Sequence, residues 1–532
     1  MADADPKQNP VNYPAWTEYK AKNGLDPLGM KNTSINRYQS ILTGISNFTL
    51  RMRYYGFYAW LNHTYVRGNN TDNPEDWKRF LRRAEALYAL ITYRAGQGTE
   101  RGVAGIDWAG KAHDNTPGET IDIAAGADPE SDQKQYLQQA WGAYGAAYGN
   151  PLHEIGILTS STDHKIPVPT PDMGEPLGQA FEDTLGTLAD LFVEVIERGS
   201  VTRQELDRLA PMAPSEIARD GRERALYQQL LLSAGPAEED DARARHLTFL
   251  LVMHVAGLRG AEPDPDDVRW TLYAGQDQNA RPLELPTHAL EEQRQRWWVY
   301  HANDLCHIAL ETLLKFTLDT LSRYPAGITL DGLIRASLDG IEDEVGPYPA
   351  CWADFLGTIS CAANAYAADD PAAEHALTST IMAGAGRGDK SACTPETAWA
   401  AIQLLAVLDK RSREESHPIY DELKDAGTGA QTLLTETQFL QQREREPFRK
   451  LLAEMIEQRV VRRHLWVASQ KFRHGDYTFL IESDEGRLRL RDKDGPMFTN
   501  PRLAPALTFL RDIYLIGGQG LTDYGSEAVA PA

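Results

Sequence analysis

Cysteine is scarce in this chain, and its scarcity rules out two architectures. Cys306, Cys351, Cys361 and Cys393 are the only four. None forms a CxxC pair, and their spacing matches neither a disulfide framework nor a four-cysteine zinc site, so they read as reduced thiols. Long apolar runs are missing as well. The longest uncharged apolar run, near Leu247–Leu258, contains His254 and is too short for a bilayer. The opening residues, Met1 to Pro10, are polar and lack the hydrophobic segment of a signal peptide. These absences predict a cytoplasmic protein, in which a sequon such as Asn47-Phe48-Thr49 carries no glycan.

Familiar catalytic signatures are absent too. The chain has no G-x-S-x-G elbow, H-E-x-x-H, EF-hand loop or dinucleotide-binding glycine fingerprint. The run from Gly384 to Ser391 approaches a phosphate-binding loop, but Asp389 stands where the glycine before Lys390 belongs. Its flanks read as helices, whereas a phosphate cradle needs strand, loop and helix, so a flexible interhelix loop is expected. His63, His113, His153 and His164 are scattered through irregular segments and read as structural. No cofactor is expected.

Positive charge is in deficit: 54 Lys and Arg face 76 Asp and Glu, a formal net charge of −22. That field opposes non-specific adhesion to nucleic acid or anionic lipid, so any such contact must use a local basic patch. Two patches stand out. Between Arg51 and Arg101, nine basic side chains face five acids, among them Arg51, Arg53, Lys78, Arg82 and Arg83. The aromatic run Tyr54-Tyr55-Gly56-Phe57-Tyr58-Ala59-Trp60 lies beside them. This island is either a surface for stacking on bases or a buried aromatic helix whose arginines snorkel or pair with carboxylates. The second patch holds Arg459, Arg462, Arg463, Lys471 and Arg473 with His464 and no acid, interleaved with Trp466 and Phe472. It suits DNA, an acidic protein partner or an ordinary solvated surface.

What the chain has in abundance is helical pattern. From Thr287 to Tyr324 there is neither proline nor glycine. Leu305, Cys306, Ala309, Leu310, Leu313, Leu314, Phe316, Leu318 and Leu321 fill an arc of roughly 220°. A helix so apolar must be packed on several sides, which makes it the expected spine. Its remaining stripe carries His301, Asp304, His307, Glu311, Lys315 and Asp319. Four of these, His301, Asp304, His307 and Glu311, fall within roughly 120° and would suit a metal-dependent hydrolase or nuclease. Glu311 and Lys315 are also spaced as a favourable helical ion pair, which a solvated face or a polar seam between bundles would show as well.

The fold expected is mainly α, a multidomain helical bundle with a winged-helix-like α+β module at its end. At 532 residues the chain exceeds one core. The expected regions are an aromatic and basic helical region (1–110), an irregular linker or insertion (111–176), a central helical domain around 287–324 (177–430) and the winged-helix-like domain (431–532). The last assignment rests on helices leading to a hairpin around Ser483-Asp484-Glu485-Gly486 and then a closing helix.

Leu25 to Trp60, with LDPLGM and then INRYQSILTGISNFTLRMRYYGFYAW, resembles the amino-terminal signature of a family of uncharacterised bacterial proteins. ARDGRERALYQQLLLS and FTNPRLAPALTFLRDIYLIGGQGLTDYG are similar to its later blocks. Such proteins look like accessory members of multigene loci on mobile or phage-defence islands. The resemblance implies a subunit that binds other proteins of an assembly; it supplies no catalytic residues. The expectation is therefore a non-catalytic adaptor of an anti-phage defence or DNA-processing complex, contacting DNA through its basic islands. The alternatives are the metal-dependent enzyme and a sensor of a phage or nucleotide signal working through residues 95–175.

Overall fold

The computed structural model describes residues 26–45, 47, 51–68, 73–100, 102–116, 118–160, 164–233, 240–387, 392–414, 422–424, 426–427, 429–473 and 475–530. Residues 1–25, the acidic stretch 236–239 and the end of the loop expected over 384–391 (388–391) lie outside the described residues. The chain is mainly α-helical, as its patterning predicts, and the named strands among the described residues pair only as two-stranded antiparallel ribbons. It divides into two compact units, each assembled from separated stretches rather than from consecutive regions.

The first unit comprises Met1–Arg37, Trp270–Pro282 and Gln295–Thr499. The spine is real: one helix runs His288–Leu321, and every residue from 297 to 321 is buried. The apolar arc packs on faces of Leu330–Val345, Glu374–Ala385, Pro395–Glu414, Leu433–Gln442 and Phe448–Glu454. Each fully buried Leu or Phe of that arc contributes about 2 kcal/mol, which fixes the spine as the centre of this core. The polar stripe is buried with it, so it is a seam and not a solvated face.

The expected hairpin is present as Ile481–Asp484 paired with Arg487–Leu490. Its two turn residues, Glu485 (φ 48°) and Gly486 (φ 75°), both adopt the left-handed region that a tight hairpin turn requires. Leu488 also exchanges both backbone hydrogen bonds with Ile328, which ties the hairpin to the loop after the spine. The region 431–532 is not one body. Residues up to Thr499 belong to this unit, and Asn500–Ala532 cluster in the other.

The second unit comprises Tyr38–Arg269, Leu283–Arg294 and Asn500–Ala532. The aromatic run forms the helix Arg53–Arg67 and is buried from end to end of its ring cluster. Phe57 stacks on Tyr88 at 4.3 Å and Tyr54 on Tyr148 at 4.9 Å, while Trp60 packs against Phe181 and Phe192. Gly56 is required here, because a Cβ would sit 2.1 Å from the Tyr227 hydroxyl. Asn73 caps the helix Pro74–Ala95 by accepting the Glu75 amide, with Pro74 in the first turn.

Within the region 111–176, residues 127–144 are held against that helix by two of its side chains. Buried Arg82 donates to the carbonyls of Ala127 and Gln139 and to the Gln135 side chain. Buried Glu85 accepts from the amides of Ala143 and Tyr144 and from the hydroxyls of Tyr58 and Tyr136. Sequence periodicity is weak in this stretch because these two side chains supply the hydrogen bonds that regular structure would otherwise provide.

Candidate functional site

The spine's polar stripe divides into three parts. His301 is packed among aromatic rings, edge-on to Trp270 at 4.5 Å and Tyr273 at 5.0 Å and stacked near Phe498. Asp304 turns one oxygen to the amide and hydroxyl of Thr499 (3.1 and 3.0 Å) and the other to His307 Nδ1 at 3.3 Å. His307 Nε2 lies 2.9 Å from Glu311 Oε1. Burial pushes the His307 imidazole down, but the Glu311 and Asp304 carboxylates on either side outweigh it and hold it up at about 10. Further along, Lys315 pairs with Asp319 at 3.0 Å, and Asp319 also accepts from Cys393 N and Lys493.

The amino-terminal LDPLGM motif reaches this stripe. Asp26 accepts the amides of Met30 (3.0 Å) and Lys31 (3.1 Å), capping the helix Lys31–Ile41. Lys31 Nζ lies 3.6 Å from Glu311 Oε2. Asp26, His307 and Glu311 thereby bring one donor atom each to within 4.8 Å of one another. That is the donor set a divalent ion accepts, with Asp26 in place of the expected His301 and Asp304. The same space also holds cations: Lys31 and Lys471 face Asp26 and Glu311, and His307 lies between Asp304 and Glu311, while Asp494 adds a further carboxylate near Glu311 and Lys31.

The basic helix Arg462–Arg473 has two faces with different occupations. Its inner face holds the backbone of Asp26-Pro27-Leu28. Arg463 Nε donates to the Leu28 carbonyl (2.8 Å), His464 Nδ1 to that of Pro27 (3.2 Å) and Lys471 Nζ to that of Asp26 (2.7 Å). Gly29, at φ 70°, lies so close to Val467 that a Cβ would meet it at 3.0 Å. His464 Nε2 accepts the Leu480 amide at 2.9 Å, which fixes the neutral tautomer carrying its proton on Nδ1. The outer face presents Arg462, Trp466, Phe472 and Arg473 to solvent, with Trp466 48% and Phe472 56% exposed. The Arg463 guanidinium stacks over the Trp466 ring at 4.7 Å and stiffens it. Phe472 joins Tyr477 and Phe479 in an aromatic cluster at the helix end.

Of the ten basic side chains singled out for nucleic acid, Arg462 and Arg473 are exposed. Arg459 is taken up by Glu436, and Arg463 and Lys471 by the carbonyls above. In the amino-terminal island, Arg53 is fully buried against Glu223 and the carbonyls of Pro211 and Ala213. Arg51 pairs with Asp512 and Glu100, Arg83 with Asp128 and Lys78 with Glu75. Arg53 and Arg82, as wholly buried cations, offer nothing to a phosphate backbone; their donors complete the interior of the second unit.

Comparison with family models, curated proteins and solved structures returns no match. The argument for function therefore rests on the chain's own geometry. Asp26 and Lys31 escaped the sequence reading because they lie some 280 positions from the stripe, Asp26 before a turn and Lys31 at the start of a short helix. Their one visible signal was membership, or near membership, of the LDPLGM block.

Proposed function

We propose that this protein is a non-catalytic adaptor subunit of a bacterial anti-phage defence or DNA-processing assembly, docking a partner protein through the outer face of the helix Arg462–Arg473. One observation carries this reading. An acidic chain exposes two aromatic side chains and two arginines on one short helix, whose inner face is spent on holding the chain's own backbone. Trp and Arg are the residues on which interface energy concentrates, and Trp466 with Phe472 form an anchor flanked by positive charge. The fitting partner is an acidic protein surface with an apolar recess for Trp466. In this reading the helix and the following hairpin act as a winged-helix-like presenting element. The buried polar stripe serves as the joint that sets that helix, through Asp26 to Met30, against the spine.

The test is co-expression with the products of adjacent genes and purification on a tag placed on this chain. Co-purification with the wild type and its loss in a Trp466→Ala/Arg473→Glu variant of unchanged thermal midpoint supports the proposal. Equal recovery of the same partner by both proteins overturns it.

A further inference from the structure

The second unit contains a cavity of about 530 Å³, within the size range of sites that hold small molecules. Part of its wall comes from residues 141–154, the stretch whose sequence pattern suggested no regular structure. Trp77, Trp141 and Tyr144 form an aromatic side, with Trp77 5.5 Å from Trp141 and 5.2 Å from Tyr144 between ring centres. Lys78 Nζ lies over the Trp141 ring at 5.3 Å. Opposite chemistry comes from Arg502 and from the amides of Gln39 and Asn150.

Three observations mark the cavity as built and not left over. Trp77 is 4% exposed, yet its indole N–H has no hydrogen-bond partner. A buried donor in that state is costly unless something else satisfies it. Arg502 holds φ at 63° in the left-handed region, immediately before the helix Leu503–Asp512, and its buried Nε is likewise without a partner. Arginine has no steric reason to prefer that conformation. Tyr144–Tyr148 is a turn of π-helix, a rare element that frequently marks functional positions, and its small residues Gly145, Ala146 and Ala147 line the space.

We infer that this cavity binds a nucleotide, an aromatic base carrying a phosphate group. The aromatic side supplies ring faces for the base, and side-chain amides match the mixed donors and acceptors of a base edge. Arg502 offers a planar guanidinium for the phosphate. Glu154 also lines the cavity, but its carboxylate accepts the Gly44 amide at 3.1 Å, which holds it in place.

Isothermal titration of the full-length protein with the four nucleoside 5′-monophosphates tests this, with adenosine and inorganic phosphate as the separated halves. At least one monophosphate binds, at least tenfold more tightly than either half. Arg502→Asn, which keeps a residue tolerant of the left-handed region, weakens that binding at least tenfold, as does Trp141→Leu at the partly exposed edge, both with unchanged thermal midpoints. Saturation-transfer NMR on the wild type, from aromatic protein protons to base protons, reads the same contact without substitution. No binding of any monophosphate at millimolar concentration overturns the inference, and so does binding that both variants retain or that shows no aromatic transfer.

Discussion

Arg463 donates its Nε hydrogen to the carbonyl of Leu28 at 2.8 Å across 435 positions of sequence. The contact joins the two most informative short motifs of the first unit and reverses the meaning of one of them. A basic helix that looks like a nucleic-acid reader is, on one face, a clamp for its own amino-terminal segment. Neighbouring arginines on this helix therefore have opposite roles. Arg463→Ala is expected to lower stability by about 1–3 kcal/mol, because it strands the carbonyl of buried Leu28. Arg462→Ala, on the exposed face, should stay within about 0.5 kcal/mol of the wild type. Urea denaturation of the two variants checks the contrast.

His464 makes the clamp sensitive to acid. Its neutral ring both donates to Pro27 and accepts from Leu480, and burial pushes its pKa down from 6.5 to about 4. The folded state thus resists a proton that the unfolded state takes up. Stability is expected to be full above about pH 6.5 and to fall as pH drops towards 4, by about 3 kcal/mol across that window. His464→Gln should flatten this limb of the profile, measured as thermal midpoint against pH.

The stripe titrates in the opposite sense. His307 is held up at about 10 by Glu311 and Asp304 against the lowering effect of burial. Its ion pairs contribute fully below about pH 6.5 and are lost as pH rises through 10. Glu311→Ala should cost about 3–5 kcal/mol by leaving buried cations uncompensated. The double variant His307→Ala/Glu311→Ala should cost less than the sum of its singles by about 1–3 kcal/mol. Elemental analysis is the companion measurement: the Lys31 and Lys471 ammonium groups beside Glu311 predict no stoichiometric transition metal, and one equivalent retained through gel filtration would make Asp26, His307 and Glu311 a metal site instead.

The spine was legible in the sequence because thirty-odd residues without proline or glycine leave few alternatives to a helix, and the width of the apolar arc announced burial on several sides. The hairpin was legible from its Asp-Glu-Gly turn. What a one-dimensional pattern could not carry was pairing across hundreds of residues. Arg53 finds Glu223, Lys31 finds Glu311, and Lys471 finds the Asp26 carbonyl only in the fold. A run of arginines is the same string of letters whether it faces phosphates or its own backbone. The same limit hid the stretch 127–144, to which Arg82 and Glu85 of a distant helix supply hydrogen bonds.

DNA binding has a quantitative bound under this account. Counterion release gives a slope of about −0.9 in log K against log salt for each phosphate neutralised. With Arg462 and Arg473 as the exposed members of the ten candidates, those ten give a slope of about −2, where all ten engaged would give about −9. Fluorescence anisotropy with duplex DNA over a salt series measures it, and a slope near −9 would show that the clamped and buried arginines are released on binding.

The central claim is that the outer face of the helix Arg462–Arg473 is a docking surface. The most direct measurement is the dissociation constant of the co-purifying partner for the wild type, for Trp466→Ala/Arg473→Glu and for Arg445→Glu, a charge reversal at an arginine whose side chain is 80% exposed outside that helix. The account predicts at least a tenfold loss for the double variant and no change for Arg445→Glu. Equal affinities for all three proteins, or equal losses for both variants, would contradict it.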